Sequence, residues 1–287
     1  MNLFNIIDEI QKVDPEINDR FNPRRAAIKN ITSFGSKVAV AALPFALGTM
    51  FKKAYGAATT PVVDVLNFAL TLEHLEAGFY NKGLSIGGFV PAGGIDAKFV
   101  SQIAADENKH VAFLKTVITQ LGGTPVAPPT VDYTGGNNKG NGPFKDVFTN
   151  YTTFLTVGAA FEDTGVRAYK GQAPNLLGNQ VVLTAALGIH AVEGRHASAL
   201  RYLINSHKVG TTATPAIKPY IVSSASKGND TGAGAADGNY AGEENTTQGG
   251  VNLSSLASIG VVTASFDEPL SKDEVLKLLV GSFIVTP

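Results

Sequence analysis

Apolar residues recur every three or four positions along four long stretches of this chain, a period that predicts four helices. They run from about Thr60 to Lys82, about Ile95 to Leu121, about Pro143 to Lys170 and about Leu177 to Ser206. Pro61 and Pro143 stand near two of the starts, where a missing N–H costs nothing, and Gly122 and Gly123 supply a stop for the second helix. The short links "GLSIGGFVPAGG" and "GQAPNLLGN" make the first and second helices, and the third and fourth, antiparallel neighbours. Between the second and third lies "GGTPVAPPTVDYTGGNNKGNG", longer and rich in Pro, Gly and Asn, which reads as a crossover. The pattern predicts an all-α four-helix bundle made of two hairpins and a long central crossover.

Polar residues interrupt two of the apolar stripes at the same steps. The second helix runs Ile103, Glu107, His110, Leu114, Val117, and the fourth runs Ala186, Ile189, Glu193, His196, Leu200, Leu203. Both Glu-x-x-His pairs therefore point at the core. An ionised carboxylate buried alone costs several kcal/mol, so two such pairs at depth need a partner, and a shared cation is the simplest one. In the first helix an outward face of Asp64, Asn67, Thr71, His74 and Asn81 turns Glu73 and Glu76 inward; in the third, Asp163, Arg167 and Lys170 outside leave Glu162 inside. His74 and His190, beside the stripes, read as surface or packing residues, and His207 as structural or exposed. Asp106 and Asp163, each next to an inward Glu, face solvent or hydrogen-bond a histidine.

The halves share a frame. Tyr80 follows Glu73 by seven residues and Tyr169 follows Glu162 by seven, while Glu73 to Glu107 spans 34 and Glu162 to Glu193 spans 31. The chain thus reads as a duplicated hairpin, each half giving one Glu and one Glu-x-x-His. Glu76 is matched in the other half only by Gly165 and has three readings: a fifth carboxylate ligand, a residue beside the ligands, or the ligand in place of Glu73. Glu73, Glu107, Glu162 and Glu193 carry four negative charges, and with His110 and His196 as neutral donors they balance two divalent cations. A carboxylate-rich, imidazole-poor set suits iron or manganese.

Composition narrows the chemistry. The 287 residues contain no cysteine, which removes disulfides, thiolate metal sites, iron–sulfur clusters and a Cys nucleophile. A hydrophobic fraction of 44% supports a large core, and a net charge of -1 without a basic run gives no footprint for nucleic acid. Glu73, Glu107-x-x-His110, Glu162 and Glu193-x-x-His196, in that order around a central crossover, resemble the ferritin-like superfamily of dimetal carboxylate proteins. With "LTLEHLEAGFY" and "FDEPLSKDEVLKLL", the chain is most similar to the bacterial ferritin-like domain family related to plant desiccation-associated proteins. The resemblance implies a ferritin-like bundle over roughly residues 60 to 207 and a dimetal site that reacts with oxygen or peroxide, as a ferroxidase or a manganese-catalase-like enzyme. The competing expectation is a non-catalytic envelope, stress or assembly protein in which the metal is structural or absent. The sequence is also compatible with an oligomer.

The ends differ in texture. Residues 1–58 form an arm in which "NPRRAAIK" precedes the apolar "VAVAALPFALGTMF" and "KKAYGAATTP", resembling a twin-arginine export signal with cleavage near Ala57 or Ala58 and delivery to the periplasm or cell envelope. The bundle is expected over 59–207. Residues 208–287 read as an extension: a Gly/Asn-rich surface strip over 226–250, a capping box of Ser271 and Glu274 opening a last helix, and "GSFIV" docking on the bundle.

Overall fold

The computed structural model describes residues 60–208, 217–224, 228–230 and 240–286; the arginine-containing leader lies outside them. Four long helices dominate: α1 (Thr60–Ser85), α2 (Ile95–Gln120), α3 (Tyr151–Gln172) and α4 (Gln180–Lys208). α1 packs chiefly on α2 and α3 chiefly on α4, giving the two expected hairpins, with the crossover spanning 121–150. None of the described helices is long and apolar enough to cross a membrane.

Two starts are later than the periodicity suggested. α3 begins at Tyr151 because Asn150 caps it, its side chain accepting the N–H groups of Thr152 at 3.1 Å and Thr153 at 3.4 Å. Pro143 sits instead in the turns that precede this cap. α4 begins at Gln180, with the Asn179 side chain accepting the Val182 N–H at 3.1 Å, and a 3-10 turn (Ala173–Leu176) fills the space between α3 and Asn179. Leu177, expected inside the helix, is an exposed link residue. Period alone cannot place a helix end; the capping side chain does.

The core runs the length of the bundle. Phe79 stacks on Phe154 with ring centroids 4.5 Å apart and meets Tyr80 and Phe161 edge-on, making an aromatic floor beneath the inward carboxylates.

The extension adds β1 (Val222–Ser224) antiparallel to β2 (Gly228–Asp230), β3 (Thr247–Gln248) antiparallel to β4 (Val251–Asn252), and the short helices α5 (Ile259–Thr263) and α6 (Lys272–Leu279). Ser271 and Glu274 form the expected capping box at α6. The docking of "GSFIV" is also observed: Phe283 stacks on Phe144 and meets Phe161 edge-on, and Val285 N–H donates to Thr130 O at 2.9 Å, tying the chain end to the crossover.

The extension overturns two expectations. Asp163 and Arg167 do not face solvent: both are buried, because the chain around 240–270 lies across α3. Asp163 pairs with Arg201 and accepts the Tyr240 hydroxyl at 2.5 Å, while Arg167 reaches Glu243 Oε1 at 2.9 Å and Ala241 O at 2.8 Å. The second half of the Gly/Asn-rich strip is correspondingly not a loose surface loop, since Tyr240 and Glu243 are each 1% exposed. A close backbone approach allows this contact: a Cβ on Gly171 would lie 1.9 Å from Leu270 O, so only glycine fits there.

Candidate metal centre

Each helix delivers its acidic residue to one level of the bundle. Glu73, Glu107, Glu162 and Glu193 are all 0% exposed, while His110 and His196 lie just beneath one face. The i, i+3 spacing puts each histidine on the same side of its helix as the preceding glutamate, and their ring centroids are 6.3 Å apart. Among the described residues, two groups bring one donor atom per residue to within 4.8 Å of one another: Glu73, Glu107, His110 and Glu193, and Glu107, Glu162, Glu193 and His196. All six residues singled out in the sequence therefore meet, and Glu107 and Glu193 belong to both groups.

The tyrosines mirror the duplication. Tyr80 on α1 donates to Glu162 Oε1 on α3, and Tyr169 on α3 donates to Glu73 Oε1 on α1, both at 2.5 Å. Each lone glutamate thus has one oxygen held by a phenol from the facing half and the other turned toward a histidine: Glu73 Oε2 is 3.2 Å from His110 Nδ1, and Glu162 Oε2 is 3.2 Å from His196 Nδ1.

Electrostatics show a site with excess negative charge. Burial, reinforced by Glu193, pushes the Glu73 carboxyl well above its ordinary value, and burial with the Glu107 charge does the same to Glu162. Glu107 moves the other way, to about 2, because contacts from His110 and His196 outweigh its burial. Burial opposes charge on His110, yet the carboxylates of Glu107, Glu193 and Glu73 around Nδ1 push it up to about 12; His196 is also raised, by Glu162 and Glu107 against its own burial. Both Glu193 oxygens are buried without a hydrogen-bond donor, lying 3.3 Å from the two imidazole Nδ1 atoms without suitable geometry. A buried carboxylate lacking donors on both oxygens, shared by two Glu/His groups, fits a cation-binding role.

Glu76 is 2% exposed but belongs to neither donor group. Its burial and the charges of Glu162, Glu193, Glu107 and Glu73 all raise its pKa well above the usual range. A Cβ on Gly165 would already stand 3.3 Å from Glu76 Oε1, so the glycine at the matching place in the other half leaves room for this carboxyl. Asp106 Oδ2 lies 3.6 Å from His196 Nε2, in line with one of its two expected roles, whereas Asp163 turns to Arg201. His74 and His190 stand outside the donor groups, and His207 Nε2 contacts Asp96 Oδ1 at 2.6 Å.

One side of the site is thinly covered. α2 and α4 approach each other less closely than the other neighbouring pairs, and between them lies a cleft of about 450 Å³ floored by His110 and His196. Its walls include Phe99, Ile103, Val192 and Ala199, with Lys109 and Arg195 at the rim. Sequence reading passed over these two cations, although each directly precedes the histidine of its Glu-x-x-His. It also passed over Arg201, Tyr240 and Glu243, whose pairing depends on where the extension lies.

A family model described as ferritin-like domain matches residues 62–206, the span of the four helices and their crossover. No curated protein matches the chain.

Proposed function

Starting from the fact that this chain belongs to the ferritin-like domain family, we propose that its bundle holds two iron or manganese ions and reacts with dioxygen or peroxide. Glu73 and His110 would serve one ion, Glu162 and His196 the other, and Glu107 and Glu193 both. When bound, the pair would supply the change of oxidation state that iron(II) oxidation or peroxide disproportionation requires. The chain's own groups would set the conditions. Tyr80 and Tyr169 fix the lone glutamates by their outer oxygens, and Asp106 stands beside the outer nitrogen of His196. The four glutamates are fully buried while His110 and His196 line the α2–α4 cleft, so the histidine side is the approach for small reactants. The observation that carries this reading is the pair of overlapping buried Glu/His groups joined through the donor-free Glu193 carboxylate.

Elemental analysis of full-length protein purified without added metal is the test. About two transition-metal ions per chain are expected, with His110→Ala and His196→Ala each lowering the content. Two manganese ions with oxygen release from peroxide would select the catalase branch; iron with rapid oxygen-dependent oxidation would select the ferroxidase branch. Two ions with neither activity would favour a metal that only braces an envelope or assembly protein. Folded protein free of transition metal would refute the proposal.

The proposal includes export by the twin-arginine route, resting on Arg24 and Arg25 before the apolar run. Replacing both arginines by lysine is expected to trap the precursor in the cytoplasm, and envelope protein is expected to begin near Ala58. Intact mass showing Met1 on the envelope form would overturn cleavage.

A further inference from the structure

The cleft above the histidines is far larger than dioxygen or peroxide needs. Its volume of about 450 Å³ lies within the roughly 300–1,000 Å³ range of small-molecule sites. Its polar groups are unevenly shared between the halves. Lys109 precedes His110 as Arg195 precedes His196, but Asp106 precedes Glu107 where Val192 precedes Glu193. Lys109 Nζ is therefore neutralised by Asp106 Oδ1 at 2.9 Å, and Gln102 donates to the other Asp106 oxygen at 2.8 Å. Arg195 has valine where its counterpart has aspartate, and it has no ion-pair partner among the described residues. One rim is internally satisfied. The other brings Arg195, free of an ion pair among the described residues, to a cleft also lined by Val192, Ala199, Phe99 and Ile103.

We propose that the α2–α4 cleft binds a monoanionic carboxylate with a compact apolar body, its carboxylate on Arg195 and its body against Phe99 and Val192, above His110 and His196. A guanidinium matches a carboxylate through two parallel N–H donors, and an apolar wall selects against small hydrated anions such as phosphate. This rests on the dimetal reading only in taking the two histidines as the border of the metal site. The exposed rim and the buried carboxylates are separate features, so binding in the cleft and metal content can fail independently.

The test is calorimetric titration of full-length protein with phenylpropionate, the neutral phenylpropanol and the cationic phenylpropylammonium, with metal content measured on the same sample. One phenylpropionate per chain is expected, bound at least about tenfold more tightly than either analogue. Arg195→Gln should reduce phenylpropionate affinity at least about tenfold while leaving phenylpropanol unchanged, and Ala199→Phe should weaken both by filling the cleft. Circular dichroism would verify that both variants stay folded. Equal affinity for acid and alcohol, preference for the ammonium compound, or indifference to both substitutions would overturn the proposal. Metal-free protein that binds phenylpropionate as expected would sustain this inference and sink the dimetal reading; metal-loaded protein that does not bind it would do the reverse.

Discussion

Glu73 and Glu76 differ in consequence although both are buried one turn apart on α1. Glu73 shares a donor group with His110 and is held by Tyr169; Glu76 lies outside both groups, opposite Gly165. Glu73→Ala is expected to remove most of one bound ion, and Glu76→Ala to leave more metal in place, by elemental analysis of folded protein. If Glu76→Ala alone empties the centre, Glu76 and not Glu73 is the ligand on α1. The duplicated frame makes a further prediction: Tyr80→Phe and Tyr169→Phe should have similar effects, because each removes one 2.5 Å hydrogen bond to the lone glutamate of the facing half. A large effect from one and none from the other would show that the halves are not functionally equivalent. The equal spacing was visible in the chain. That each phenol crosses to the opposite half, and does not serve its own glutamate, required the packed bundle, since Glu73 and Tyr80 lie two turns apart on one helix.

α3 is buried along most of its length, and Asp163 and Arg167 on its outer face are where the extension fastens. Arg201→Ala would leave the Asp163 carboxylate buried with, among the described residues, the Tyr240 hydroxyl as its hydrogen-bond donor, and breaking a buried ion pair from one side typically costs about 3–5 kcal/mol. Chemical denaturation should show a loss of that size, and a loss below about 1 kcal/mol would mean that the pair is solvated. Gly171→Ala should destabilise by about 2–3 kcal/mol, as its Cβ meets the Leu270 backbone and the extension must lift. Asn150→Ala, at the cap of the same helix, should cost only about 1 kcal/mol, because it removes acceptors at an exposed end. The order of these three losses separates anchoring of the extension from local helix stability.

The extension as a body is held partly by groups that resist ionisation. Burial and the Asp267 charge raise Glu243 to about 7 against the pull of Arg167, and burial raises Asp267 to about 6 against Lys170 and Arg167; Asp163 and its partner Arg201 complete the charged surroundings, with the neutral Tyr240 hydroxyl on Asp163. An acid whose folded pKa lies above its unfolded value stabilises the fold while protonated. For Glu243, that contribution declines as pH rises from about 4.5 to about 7. Hydrogen exchange over residues 240–268 is therefore expected to speed up across this window, beyond the intrinsic pH effect, and Glu243→Gln should flatten the change. Equal pH dependence in wild type and variant would assign it elsewhere. The sequence by itself determined the four helices and the six residues that meet at the candidate centre, because these follow from a three-to-four-residue period acting within one helix, and their hairpin pairing, because short links hold successive helices antiparallel. It also specified the last capping box, a purely local device. Only the tertiary structure decided that Asp163 and Arg167 are interior, that Tyr240 and Glu243 are their partners, and that Lys109 is paired with Asp106 while Arg195 has no ion-pair partner among the described residues. Those outcomes depend on which distant segment covers a helix face and on how far α2 stands from α4, and neither is encoded in the period of any one helix.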